Sequence, residues 1–235
     1  MKKESFWIPY ADLMTLLMVV FLFISAAFMI LVEQQKKDQD RIVKDYQESK
    51  LKIYQELNEV FKTNKQAWEM EIDNDLSIRF TNPAVLFPLG ESKLTPRFEQ
   101  ILAEFFAKYL AIVSKEEYSK KIAEIRIEGH TDISKRVECP DQDNYLCNLQ
   151  LSQMRSTSVM KFMRNLDAYK QLGDTQKLRL DFWFTANGLS FGRMLDADKQ
   201  LVYATGKQPD LEKSRRVEIR IVTTSDLVID SLLAK

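Results

Sequence analysis

Apolar residues run almost unbroken from Phe6 to Val32 (FWIPYADLMTLLMVVFLFISAAFMILV), relieved only by small and hydroxyl residues and one acid, Asp12. A helix opened by Pro9 and carried to Val32 is roughly 36 Å long at about 1.5 Å per residue. That crosses a hydrocarbon core of about 30 Å with some tilt. The run is too long for a signal peptide, and no small-residue cleavage site separates it from the polar segment behind it. From Glu33 to about Glu71 the chain turns polar and helix-prone, without Gly or Pro. Apolar residues return there at helical spacing: Ile42, Tyr46, Ile53, Leu57, Val60, Phe61 and Trp68. Ile42/Ile53, Val43/Tyr54 and Tyr46/Leu57/Trp68 are each eleven apart. An eleven-residue period predicts a long helix with one apolar stripe. A second copy of the chain is its expected partner, and a solvated connector is the alternative.

Near Trp68 the pattern changes. After an Asn-Asp turn signal, Leu76-Ser77-Ile78-Arg79-Phe80 alternates like a strand. Phe87-Pro88-Leu89-Gly90 reads as a turn, and Thr95-Pro96 as an N-cap with proline at the first helical position. A helix from Pro96 to about Val113 then puts Phe98, Ile101, Leu102, Phe105, Phe106 and Tyr109 on one face. Ile122–Glu128 alternates as a second strand, and Leu151–Leu166 carries a helical stripe. Lys177–Thr185, a very apolar segment, predicts a third strand, and Arg216–Thr223 a fourth. A short helix is expected from Ser225. Strands alternating with helices argue α/β or α+β layering.

Composition removes several function classes. The 235 residues suffice for one small globular domain, an anchor and a connector. The formal net charge is zero, so no global basic field points to nucleic acid, and no direct nucleic-acid partner is expected. A single histidine, His130, excludes a zinc site with several imidazoles. No metal set and no nucleophile–base pair is visible, so an enzyme has the least support and no catalytic residue is proposed. Lys2 and Lys3 before the apolar run balance Lys36 and Lys37 after it, so charge does not orient the helix. Cys139 and Cys147, close in sequence, suit a disulfide in an oxidising compartment. A pair of buried free thiols is the alternative.

Asp12 is the first candidate functional residue. An ionised Asp in a membrane helix costs on the order of 3 kcal/mol, and an anchor alone would place Leu there. Its position about one turn past Pro9, where the helix N-terminus is partly positive, also allows an inert interfacial Asp.

Pro9-Tyr10-Ala11-Asp12-Leu13-Met14-Thr15 resembles the start of the single membrane helix of MotB-type stator B subunits of ion-driven motors. The resemblance implies that Asp12 binds and releases the permeating ion, H+ or Na+, with Tyr10 and Thr15 beside it as weaker candidates. Thr15 suits sodium coordination or a bond to its own helix backbone. It further implies a homodimer inside a pentamer of a MotA/ZorA-like A subunit (5:2), an N-terminus in the cytoplasm and a periplasmic C-terminal domain. A plug segment belongs to that family, but no pattern here specifies one.

Three further stretches resemble the OmpA-like peptidoglycan-binding domain: Ile127-Glu128-Gly129-His130-Thr131-Asp132, Leu151-Ser152-Gln153-Met154-Arg155 and Ser214-Arg215-Arg216-Val217-Glu218-Ile219. Leu86-Phe87, Gly90 and Leu94-Thr95-Pro96 fit its first strand-to-helix turn. The fold this implies is a β-α-β-α-β-β sheet with helices on one face. Gly129 would permit a sharp turn. Asp132 and Arg155 would then grip the ammonium and carboxylate of diaminopimelate in a stem peptide, the planar guanidinium suiting the carboxylate. Their direct pairing with each other is the alternative. Thr131, Arg215 and Arg216 are weaker contact candidates; one arginine would reach the ligand and the other would be a solvated charge. His130 is read as ordering its loop by hydrogen bonds. The chain departs from the pattern in a longer Lys135–Gln150 segment carrying both cysteines, in Ser214 where the family has Asn, and in loosely spaced Gly188, Gly192 and Pro209.

The whole reads as an α+β protein in four parts. These are a short cytoplasmic tail (1–7), a transmembrane helix (8–32), a dimerising helical connector (33–69) and an OmpA-like periplasmic domain (70–235). The expected setting is the inner membrane, single-pass, with no cofactor beyond the translocated ion. The short tail, the cysteine-bearing segment and the long connector look more like the B subunit of Zorya anti-phage systems than a flagellar stator. A passive membrane-to-wall tether is the competing class.

Overall fold

The apolar run and the polar segment behind it form a single element, α1 (Trp7–Phe61). The computed structural model describes residues 7–136, 139, 143–224 and 226, and within α1 the side chains at 7–9, 39, 42–43 and 45–46 fall outside that description. The tail before Trp7, the helix expected from Ser225, and the Ile42, Val43 and Tyr46 side chains of the stripe therefore lie outside the described residues. The structure divides into two compact units, 1–46 and 47–235.

In the first unit, Tyr10–Asp38 is long and apolar enough to cross a membrane, and its large apolar side chains, from Leu13 to Val32, stay exposed. A surface this apolar needs lipid or a partner to cover it.

The second unit opens with the last turns of α1. Ile53, Leu57 and Phe61 are fully buried there, and Trp68 nearly so. This part of the stripe, expected against a second copy, is corrected: it packs into the core of its own unit. Next come β1 (Met70–Ile72), β2 (Ser77–Phe80), α2 (Pro83–Leu86), α3 (Pro96–Val113), α4 (Glu116–Ser119) and β3 (Ile122–Gly129). α5 (Asn144–Asn165), α6 (Asp167–Lys170), α7 (Asp174–Trp183), β4 (Phe184–Gly188), α8 (Val202–Thr205), α9 (Leu211–Ser214) and β5 (Val217–Thr223) complete it. The sheet order is β1-β2-β5-β3-β4, with β3 and β4 parallel and the other pairs antiparallel. Strand alternation puts Ile78, Phe80, Ile125, Ile127, Val217, Ile219 and Ile221 in one core with Phe98, Leu102 and Phe105 of α3. Arg79, Glu128, Glu218 and Arg220, at the alternate positions, face the other way.

Two elements differ from expectation. Lys177–Thr185 is not a strand: it is helical to Trp183, and β4 starts only at Phe184. Leu180 and Trp183 are buried while Leu178 and Phe182 are exposed, which is the spacing of a helix face. Gln176 Oε1 accepts from the Gly173 N–H at 3.3 Å and fixes the start of this helix. The helix expected from Leu151 begins at Asn144, because Asp143 caps it by accepting from the Tyr145 and Leu146 N–H groups at 2.7 and 3.1 Å.

Candidate functional site

The ends of β3 and β4 tuck under α5. A Cβ on Gly129 would overlap the Ser152 carbonyl, and one on Gly188 would overlap the Gln153 backbone. Gly129 lacks a positive φ, so its role is corrected from turning the chain to letting the helix approach. Gln153 completes the joint, accepting from Gly188 N–H at 2.7 Å and donating to the Ala186 carbonyl at 2.9 Å. Ser190 N–H donates to Ser152 Oγ, and the Ser190 carbonyl accepts from Thr131 N–H, each at 3.0 Å. Thr131 and Asp132 are thereby held against α5.

The result is a cleft of about 380 Å³ whose lining includes Thr131, Asp132, Asn148, Arg155, Arg215 and Leu89. Asp132 is buried, accepts from Ser134 N–H at 2.8 Å, and pairs with Arg215 Nη1 at 2.6 Å. Burial alone raises its carboxyl, but Ser134 and Arg215 outweigh burial and hold it below the ordinary range. Arg155, in the fourth turn of α5, is 6% exposed. Its Nε donates to the Glu91 carbonyl at 2.9 Å, and its guanidinium stacks 4.9 Å from the Phe87 ring centre. Among the described residues no carboxylate pairs with it. Burial, reinforced by Arg136 and Arg215, pulls its pKa down to about 10. The direct Asp132–Arg155 pairing held open above is therefore absent. A buried guanidinium without an acid is costly in isolation and gains most from an anionic ligand. Thr131 Oγ1, buried in the same cleft, has no hydrogen-bond partner among the described residues.

Arg215 and Arg216, between α9 and β5, point to different surroundings. Arg215 reaches the cleft, whereas Arg216 is corrected from a solvated charge to a buried one, paired with Glu218 at 2.6 Å. Glu218 also receives Arg79 Nε at 2.9 Å. Burial would raise the Glu218 carboxyl, but Arg216, His130 and Arg79 pull it down to about 2. His130 is corrected as well. Its backbone N–H donates to the Arg216 carbonyl at 3.0 Å, while neither ring nitrogen has a hydrogen-bond partner among the described residues. The nearest carboxylate, Glu128, is 3.6 Å from Nε2, and burial with Arg216 nearby pushes the imidazole pKa down. Glu128, His130 and Glu218 bring ligand atoms within 4.8 Å of one another, a grouping sequence reading missed. Buried Arg216 and half-buried Arg79 already neutralise Glu218, and Arg193 sits 3.4 Å from Glu128, so this is an ion-pair network in character rather than a cation cage.

Cys139 and Cys147 form the expected disulfide, with Cα atoms 6.2 Å apart. It ties the segment after Asp132 to the first turn of α5, and Arg136 in that segment donates to the Gly90 carbonyl at 2.9 Å. In the apolar helix Asp12 and Tyr10 are exposed, and the Thr15 hydroxyl donates to the Asp12 carbonyl at 2.8 Å, the backbone bond rather than a free ligand position.

Comparison places these features among known proteins. The chain is 35% identical over 236 residues, 99% of its own length and 94% of the relative, to the Zorya protein ZorB of Escherichia coli strain Crooks. It is 30% identical over 223 residues to the Zorya protein ZorB of E. coli O139:H28, covering 93% of this chain and 80% of that one. A MotB-like protein from Desulfovibrio vulgaris has the same fold, with a TM-score of 0.51 at 18% identity over 77% of this chain and 98% of its own. No family model matches the chain.

Proposed function

The chain belongs to the ZorB family, and from that premise we propose that it is the B subunit of an ion-driven membrane motor anchored to peptidoglycan, serving anti-phage defence. One observation carries the reading. A single chain joins an apolar helix bearing one acid, Asp12, to a globular unit whose cleft holds Asp132 and Arg155, the latter paired with no acid among the described residues. A tether needs only the second of these. In the motor, Asp12 takes up and releases H+ or Na+, and its charge state biases the position of a surrounding A subunit. The globular unit lies in the periplasm, where a disulfide persists, and holds the B subunit still through the wall. The ammonium of a stem-peptide diamino acid meets Asp132, and its carboxylate meets Arg155. The chain acts by binding and ion transfer and not as an enzyme.

The partner tests this. Full-length protein extracted from native membranes in mild detergent is expected to carry a multi-span A subunit, in a ratio of five to two by native mass spectrometry. Purification of the chain alone would contradict the motor reading, and a flagellar A subunit would move it from defence to motility.

A further inference from the structure

A second cleft of about 330 Å³ adjoins the first. Its apolar wall comes from the segment between β2 and α3, chiefly Ala84, Leu86, Phe87 and Leu89, and among the described residues no acid lines it. Arg155, Arg215 and Leu89 line both clefts, so two guanidiniums and one leucine form the partition. The volume is at the lower end for small-ligand pockets, roughly 300–1,000 Å³.

The two guanidiniums are not equivalent. Arg215 is committed to Asp132 at 2.6 Å. Among the described residues Arg155 hydrogen-bonds only through Nε, on the Glu91 carbonyl, and it stacks on Phe87. A planar fork fixed along one edge leaves its terminal N–H groups for a carboxylate. Leu89 stands 91% exposed at the tip of the turn closed by Gly90, whose φ is +75°. A leucine that exposed, lining two clefts at once, gains from any ligand that covers it.

We infer that the second cleft is a subsite for a C-terminal α-carboxylate carrying a small aliphatic side chain, which in a stem peptide is the D-alanine that follows the diamino acid. The inference rests on the wall-binding reading above. The diamino acid occupies the cleft of Asp132, and the next residue crosses the partition, a step of about 3.8 Å per Cα. Its carboxylate meets Arg155 from the second side, and its methyl group packs on the apolar wall.

Calorimetry on the detergent-solubilised full chain with three synthetic stem peptides tests it: one ending in the diamino acid, one ending in D-alanine, and the latter with its terminal carboxylate amidated. The D-alanine peptide is expected to bind about tenfold tighter than the shorter one, and the amide to fall back to the shorter peptide's affinity. Ala84→Phe, at an exposed position of α2, is expected to fill the cleft and erase the tenfold difference while leaving the shorter peptide's affinity unchanged. That retained affinity also shows that the variant is folded. Equal affinity for the two acids, an amide that keeps the gain, or a gain that survives Ala84→Phe would overturn the subsite. Failure of all three peptides to bind would overturn the wall-binding reading itself.

Discussion

Asp132 Oδ2 accepts from Arg215 Nη1 at 2.6 Å, and among the described residues no acid pairs with Arg155 in the same cleft. The acid of the site is thus pre-ionised and the arginine is held in reserve. Because Ser134 and Arg215 depress the Asp132 pKa despite burial, the folded value lies below the unfolded one. The stability this contributes is complete above the unfolded value of about 3.9 and is lost as pH falls through the lowered folded value. Co-sedimentation with purified sacculi is expected to be flat from about pH 7 to about pH 5. Arg215→Ala should move the acid midpoint of binding upward. An unmoved midpoint would remove Arg215 from this role.

Arg155 carries the opposite sign. Its folded pKa of about 10 lies below the ordinary arginine value, so its charged form is disfavoured by folding. That burden is present at neutral pH and is relieved only as pH rises through about 10. Arg155→Met is therefore expected to leave urea stability unchanged, or raise it by about 1–2 kcal/mol, while sacculus binding falls at least tenfold. Stability falling in step with binding would assign Arg155 to the fold instead of the ligand.

The Cys139–Cys147 bond closes a small loop between Asp132 and the Arg155 helix. Chain-entropy reasoning gives such a loop roughly 2–3 kcal/mol, less if the reduced loop is already ordered. Cys139→Ser with Cys147→Ser is expected to weaken sacculus binding by a larger factor than that stability loss alone produces. Alkylation of denatured, unreduced protein from native membranes should leave both cysteines unmodified. Two freely alkylated cysteines would contradict the bond and the periplasmic placement drawn from it.

Local signals were the legible ones. Thr95-Pro96 marked α3 to the residue, and period-two alternation found β3 and β5. The apolar run of Lys177–Thr185 misled because a short, densely apolar segment carries no clear period, and its helix is fixed by Gln176 reaching back to Gly173. Ile53 and Leu57 showed a stripe but not its partner, since periodicity states that a face is buried and not against what. Within the site, Asp132, Arg155 and Arg215 were legible as motif positions. The burial of Arg216 beneath Glu218 was not, because pairing across β2 and β5 joins Arg79 and Glu218, which are 139 residues apart. Ser190, which positions Thr131, had no motif to announce it.

The claim at the centre is that Asp12 cycles charge. Asn is nearly isosteric with Asp and cannot take up or release a proton or hold a cation by charge. The measurement is phage protection in cells carrying the complete system with Asp12→Asn, alongside membrane insertion and sacculus co-sedimentation of the same variant. Protection is expected to be lost, with insertion and sacculus binding equal to those of the unaltered chain. Full protection by the Asn variant would contradict the motor and leave a passive tether between membrane and wall.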